Sequence, residues 1–492
     1  MYTRRDKRRD VPRAATRLRD LNEALDAADS FSVWLDIARE IDLRTGAADW
    51  RDDDESPWYD AVRLREDVVT LRRLRDAGDA ARLTDALTAS VYRHQADLAS
   101  EALYDVALAG TKRLVGAWLD EAEATLRWLV ANPSRGVAPD VQRRRFAQAW
   151  RAYGRSALLL SGGATWGFHH LGVVKALFGA GALPHIFSGS STGAMIAAGV
   201  CTRDDAGIAA LFADTDQIRL DGLLPVGVGR AVREGAWLDP ARLRAVLQHN
   251  CGDFTFAEAH AVSGRALNIS VSPTRARQKP RLLSYLTAPD VLVTSAALAS
   301  SALPGLFPPV ELEARDADGN TVPHAPGERW SDGSIYGDVP KLRLARLHNV
   351  NHFLVSQTNP HVAPLGRLSE RGGVGTAVAG AATVTARAQS TYFTDFARRA
   401  LPRWSGTIGQ AAERSYAFVS QDYRGDIDIH PRFRRELLTK LVSNPTREDL
   451  ATFIREGERA TWSKLPRILD QTRLGRVFHA CAAAMGVTDE RG

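Results

Sequence analysis

Cysteine is scarce: Cys201, Cys251 and Cys481 are the only three in 492 residues, far apart and without a C-x-x-C pair. That argues against a disulfide framework or a zinc site and fits a reducing compartment, so a cytoplasmic location is expected. No run of about 18 apolar residues occurs, so no segment reads as a membrane-spanning helix and any lipid contact would be peripheral. Lysine is nearly displaced by arginine and stands at scattered positions such as Lys112, Lys175 and Lys341, a sign of high-GC codon usage. Charge of one sign is lacking too. Lys+Arg 64 against Asp+Glu 58 leaves a formal charge of +6, too little to point to nucleic acid. A G-x-x-x-x-G-K-[ST] phosphate loop is absent. No internal repeat is found.

What is present is ordinary in bulk, with 45% hydrophobic and 25% charged residues, and informative in detail. Residues 1–50 begin with the basic "TRRDKRRD", which lacks the apolar stretch of a signal peptide and reads as a partly disordered, solvated segment; contact with anionic lipid is the alternative. Residues 51–150 read as helical. Leu64, Val68, Leu71 and Leu74 recur at helical spacing, and a longer stripe runs through Leu103, Val106, Gly110, Leu114, Trp118, Leu126 and Leu129. The Pro/Gly-rich "ANPSRGVAPD" marks a boundary. Residues 151–365 alternate between the two periods: "SALLLS", "HIFSGS", "ALNISVSP" and "HFLVSQ" as strands, with helices such as "DPARLRAVLQHN", capped by Asp239 with Pro240 first. That alternation predicts an α/β layered sheet. Residues 366–492 read as a mostly helical extension with a strand expected within 416–429 ("YAFVSQD" near 416–422). "TREDLATFIREGERATWSKLPRIL" carries a capping box at Thr446 and Asp449.

Chemistry concentrates in three stretches. "SGSSTGAMIAAG" sets Ser191 between Gly189 and Gly193, after a β-like run and before an Ala-rich helix. A short G-x-S-x-G pattern arises by chance, but this strand–turn–helix setting exposes a serine hydroxyl at a helix N-terminus, where negative charge is favoured. "LLLSGGATWGFHH" offers backbone amides at Gly162, Gly163 and Ala164, with Gly167 opening a helix, as an oxyanion cradle. A phosphate cradle is the competing reading, although the spacing is G-G-x-x-x-G. "RWSDGSIYGDVP" puts Asp332 before Gly333 in a turn, with Asp338 reading as a loop residue ahead of Pro340. His169 and His170 read as helix packing, His348 and His352 lack an acidic third ligand for zinc, and "RDADGN" reads as a hairpin turn rather than a calcium loop. No metal site and no cofactor are expected. "STYFTDFARRALPRW" reads as a packed helix face, or as an interfacial lipid contact.

Taken together these stretches resemble the patatin-like acyl hydrolases, in particular the triacylglycerol-lipase branch. "LTAPDVLVTSAALASSALPGLFPPVEL" and "SNPTREDLATFIREGERATW" are similar to that branch, and "YDAVRLREDVVTLRRLRDAGD" with "ALYDVALAGTKRLVGAWLDEAEATL" resembles its N-terminal helical region of unassigned role. The resemblance runs from about Trp50 to about Cys481. It implies an α/β fold, a patatin-like three-layer α/β/α core with a helical N-terminal region and a helical C-terminal extension. It also implies a Ser–Asp dyad without histidine, carried by Ser191 as nucleophile and Asp332 as base, with the oxyanion loop at Gly162, Gly163 and Ala164. In most patatins that loop has three glycines and then a basic residue; here Ala164 and Trp166 stand in those places, and the lipase branch shares the alanine. No histidine has an aspartate five positions on, as an H-x-x-x-x-D acyltransferase motif needs. The expected activity is hydrolysis of lipid esters at a membrane or lipid-droplet surface. A lipid acyltransferase and a non-catalytic lipid-surface binding protein are the alternatives.

Overall fold

The computed structural model describes residues 17–91, 97–132, 138–275, 278–359, 423–431 and 440–487. The basic start of the chain, "YAFVSQD" and "STYFTDFARRALPRW" lie outside them. Two compact units emerge. One takes the described residues up to Arg155, Ala176–Ala182 and the chain from Thr461; the other takes Ser156–Lys175 and Leu183–Ala460.

The first unit is helical. Leu64, Val68 and Leu71 lie on one face of the helix Ala61–Asp76 and bury against Val115, Trp118 and Leu126 of the helix Arg113–Ala131. The apolar stripe predicts that this second helix begins near Leu103, but it begins at Arg113. Gly110 sits at φ +138, outside any helix, and the buried Asp42 carboxylate takes the amides of Leu108 (2.8 Å) and Ala109 (2.9 Å). Those bonds give the backbone a partner other than the helix ladder. Lys112, only 1% exposed, closes the turn. Its ammonium donates to the carbonyls of Trp50 (2.7 Å), Asp53 (2.7 Å) and Glu55 (3.0 Å) and sits 4.1 Å over the Trp50 ring. The last helix, Leu465–Met485, belongs to this unit, and Phe478 packs its ring 5.4 Å from both Phe146 and Tyr153.

The second unit is built on a mixed sheet flanked by helices. In chain order the strands are β1 (Arg155–Leu160), β2 (Ile186–Gly189), β3 (Ala266–Pro273), β4 (Arg281–Ser284), β5 (Val310–Glu311), β6 (Glu313–Arg315), β7 (Thr321–Pro323), β8 (Arg329–Ser331), β9 (Val350–Ser356) and β10 (Ile427–Ile429). The sheet runs β10-β9-β1-β2-β3-β8-β5, with β4 also on β3. β1, β2 and β3 pair in parallel, and β8 returns antiparallel to β3. Every residue of β2 and β3 is buried, as a strand covered on both faces requires. Parallel pairing aligns the C-terminal ends of β1 and β2, and β8 brings its own end to β3, so the three chemistry-bearing loops leave the same region. "RDADGN" forms the β6–β7 hairpin turn, with Asp316 Oδ1 accepting the Asn320 amide at 2.8 Å. The helix Pro240–Cys251 starts at its Asp239 cap, and Thr446 and Asp449 cap the helix Arg447–Trp462 reciprocally at 3.0 and 3.1 Å.

Candidate active site

Ser191 stands on the turn between β2 and the helix Thr192–Cys201, at φ 51 and ψ −127. This is a backbone state that a residue with a β-carbon rarely adopts, held here by its surroundings. Gly189 ends β2 and Gly193 lies in the first turn of the helix. A β-carbon on Gly193 would run into the carbonyls of Leu160 and Ser161, so only glycine lets the turn sit on β1. The Ser191 amide donates to Ser300 Oγ at 3.0 Å, and Ser300 Oγ donates to the Ser270 carbonyl at 2.7 Å. Ser190 turns the other way, fully buried, its hydroxyl donating to Asp338.

Asp332 follows β8 and is buried. Its amide donates to the Ala302 carbonyl (3.0 Å), and that of Gly333 donates to the Ser300 carbonyl (3.1 Å). One carboxylate oxygen accepts from the Ser334 amide (2.9 Å) and hydroxyl (2.6 Å). Burial raises the Asp332 pKa above the usual carboxylate value, and Ser334 and the Ser191 hydroxyl, acting as hydrogen-bond donors, pull it back down. The Ser191 hydroxyl thus faces the Asp332 carboxyl. His170 is held by Ser356 Oγ (2.7 Å) and the Ser161 carbonyl (2.9 Å); His169 is buried and, by desolvation, held neutral; His185 is exposed, just ahead of β2. His348 and His352 bond to Asn268 (2.8 Å) and Ser156 (3.0 Å).

The glycine loop lies against both. A β-carbon placed on Gly162 would come within 3.4 Å of Ser191 Cβ and 3.2 Å of Ser334 Cβ. Gly163 is pressed so closely on Thr358 that a β-carbon would collide with its side chain. Ala164 adopts φ 47 and its carbonyl accepts from Thr192 Oγ1 at 2.8 Å, tying the loop to the serine turn. Gly167, in the turn Ala164–Phe168, packs on the Thr192 side chain, and Trp166 is buried. The Gly162 amide donates to Asp338 Oδ1 at 2.8 Å, so it is engaged elsewhere. The Gly163 and Ala164 amides have no acceptor among the described residues.

Asp338 carries more than a loop position suggests. Fully buried, it accepts from Gly162, Ser190 and Asn359 at once, joining the glycine loop to the serine turn. Burial pushes its pKa up to about 7, against the pull of Ser190 and Gly162, and the neighbouring Asp332 charge pushes it the same way. Among the described residues no cluster of histidine, cysteine or carboxylate side chains could hold a metal ion.

A cavity of about 310 Å³ opens beside Ser191. Met195, Ile196 and Val200 line it from the helix that Ser191 starts, and Leu243, Val246 and Leu247 from the helix Pro240–Cys251. Leu303, Leu306 and Phe307 complete an apolar wall. The mainly apolar lining suits a hydrocarbon chain, with Ser191 and Thr192 at one end and Arg203, Arg219, His249 and Asn250 adding polar groups elsewhere in the wall. The sequence marks Ser191 and Asp332 by motif. Ser300, Asp338 and the cavity wall carry no local pattern, and only the spacing of Leu243, Val246 and Leu247 on one helix face hints at the wall.

Two family profiles match the chain. The profile described as patatin-like phospholipase matches residues 158–343, and one described as a domain of unknown function (DUF3336) matches residues 12–152. Triacylglycerol lipase ptl3 of Schizosaccharomyces pombe is 33% identical over 463 residues, covering 90% of this chain and 92% of the relative. Triacylglycerol lipase 5 of Saccharomyces cerevisiae is 31% identical, covering 93% of this chain and 64% of the relative. A patatin-like phospholipase domain-containing protein of Cryptococcus neoformans is 34% identical, over 93% of this chain and 54% of its own length. The chain thus spans about half the length of that relative. The crystal structure of VipD from Legionella pneumophila, 14% identical with a TM-score of 0.31 over 64% of this chain and 67% of that one, is too slight a likeness to reason from.

Proposed function

The chain belongs to the patatin-like phospholipase family, and on that premise we propose that it is a serine acyl hydrolase cleaving carboxylic esters of lipids, triacylglycerol or phospholipid. The reading is carried by the Ser191 hydroxyl facing the buried Asp332 carboxyl at the mouth of an apolar cavity. Ser191 Oγ attacks the acyl carbonyl as its proton passes to Asp332. The oxyanion is received by the Gly163 and Ala164 amides, aided by the N-terminus of the helix Thr192–Cys201. Asp332 returns the proton to the departing alcohol. Water then attacks the acyl-enzyme as Asp332 takes its proton, the acyl–Oγ bond breaks to release the fatty acid, and the proton passes from Asp332 to Ser191 Oγ. The acyl chain occupies the cavity throughout, so the alcohol and any headgroup stay outside. Two relatives bear the name triacylglycerol lipase, which supports that substrate class.

The experiment is labelling by a fluorophosphonate probe, followed by hydrolysis of a panel of triacylglycerol, phospholipid and lysophospholipid. Wild-type protein labels and hydrolyses at least one lipid, and Ser191→Ala does neither while its circular dichroism is unchanged. Labelling that persists in Ser191→Ala and vanishes in Ser190→Ala would overturn the choice of nucleophile.

A further inference from the structure

The cavity wall continues outward into an apolar surface. Residues 223–239 leave the wall at Leu223, which Asn444 clamps through both its amide (2.8 Å) and its carbonyl (2.9 Å). The segment then folds into two arms, bridged at Pro225 and Leu238, around a short helix of about two turns, Val228–Glu234. The arm carrying Trp237 lies along Gly305 and Leu306, so the fold fixes where the tip stands relative to the cavity mouth. Three apolar side chains on that tip point outward: Val228 is 68% exposed, Val232 76% and Trp237 55%. Leu224, Leu303 and Val442 extend the patch, and the last two also line the cavity.

Single exposed apolar residues are common on any protein; a contiguous group with Val228 and Val232 four apart on one helix face, beside Trp237, is not. Tryptophan and valine on a projecting tip suit the boundary between headgroups and acyl chains. The charges around the tip fit the same surface. Arg230 is neutralised by Glu234 and Asp239, whereas Arg233 has no carboxylate partner among the described residues and is exposed. An unpaired guanidinium at the rim of an apolar tip is placed to meet an anionic lipid headgroup.

We infer that the tip formed by residues 224–237 is a docking element that inserts into a phospholipid-covered surface and sets the cavity mouth against it. The inference rests on the acyl-hydrolase reading for its purpose, since a chain drawn from that surface would pass Leu303 and Val442 directly into the cavity. Its geometry stands without that reading. The energetics are those of an interfacial anchor: attraction scales with the apolar area buried, and one cation adds a contribution that salt screens.

The test uses the full chain. Co-sedimentation with vesicles of phosphatidylcholine containing a fraction of phosphatidylglycerol is compared between wild type and the triple variant Val228→Ser, Val232→Ser, Trp237→Ser, none of which lines the cavity. The triple variant should lose about tenfold or more in vesicle binding. Turnover of a water-soluble short-chain ester should stay within about twofold, as expected for surface substitutions away from the site. Arg233→Glu should weaken binding to the anionic vesicles and leave binding to pure phosphatidylcholine nearly unchanged. Vesicle binding unaltered in the triple variant would overturn the inference, as would equal loss of soluble-ester turnover, which would make the tip part of the catalytic fold. A wild-type dimer that the triple variant dissociates, with no vesicle binding by either, would make this face a contact between copies instead. Vesicle binding lost in the variant while wild type hydrolyses no ester would support the docking element and refute the hydrolase reading alone.

Discussion

Asp332 and Asp338 are six positions apart and both buried, yet their surroundings give them different work. In the proposed mechanism Asp332 takes the Ser191 proton, which requires it to be ionised. Turnover of a short-chain ester should rise with pH along a limb whose pKa lies above the ordinary aspartate value, because burial raises it. Asp332→Asn keeps the shape, removes the proton acceptor and should cost about 10²–10⁴ in turnover. His169→Gln, His170→Gln and His185→Gln should each cost far less; a histidine variant matching the loss in Asp332→Asn would mean a triad. Asp338 acts through the groups it holds. Asp338→Ala frees the Gly162 amide and the Ser190 hydroxyl, and kcat should fall about 10²-fold with KM little changed, as expected when a donor loop drifts from its place. Its proton also links to stability. The folded state holds that proton up to about pH 7, whereas the unfolded chain releases it near 3.8, so stability falls as pH rises across that window. Asp338→Asn should flatten this slope in denaturation measured at intervals of pH, and an unchanged slope would assign it elsewhere. Ser191 stood out in the sequence because its strained turn needs glycine neighbours, whereas Asp332, in an ordinary Asp-Gly turn, was singled out only by the family resemblance. Asp338 was legible in neither way, because its three donors come from segments far apart in the chain.

Elements that carry their own start signals are readable from the sequence alone. Asp239 with Pro240, and Thr446 with Asp449, state where a helix begins, and the structure begins helices there. The apolar stripe from Leu103 to Leu129 misleads over its first ten residues because Asp42, more than sixty positions away, captures two of its amides. That capture is reinforced by Lys112, the residue before Arg113, whose ammonium satisfies the carbonyls of Trp50, Asp53 and Glu55. Lys112→Met keeps the stem and strands those carbonyls. With hydrogen bonds to a charged group contributing about 1.5–3 kcal/mol each, destabilisation of at least about 3 kcal/mol is expected in urea unfolding. A loss under about 1 kcal/mol would show that water replaces the ammonium freely.

At the scale of the molecule, chain order and packing order differ. The sequence places Leu465–Met485 in a C-terminal extension, since nothing local says where its apolar face goes; the fold packs Phe478 on Phe146 and Tyr153. Phe478→Ala should therefore speed amide exchange in the helices Arg113–Ala131 and Pro139–Tyr153, by an amount fitting a loss of about 3–5 kcal/mol. The amides of β3 should keep their protection, and loosening spread evenly over both units would contradict the division. The same arrangement sets a timetable for synthesis. A ribosome adding about 5–20 residues per second takes roughly 15–60 s to travel from Tyr153 to Leu474. For that interval the first helices are outside the tunnel with Trp118, Phe146 and Tyr153 lacking their cover. The nascent chain is thus exposed to holdase chaperones and to aggregation in this helical unit until the helix Leu465–Met485 has emerged.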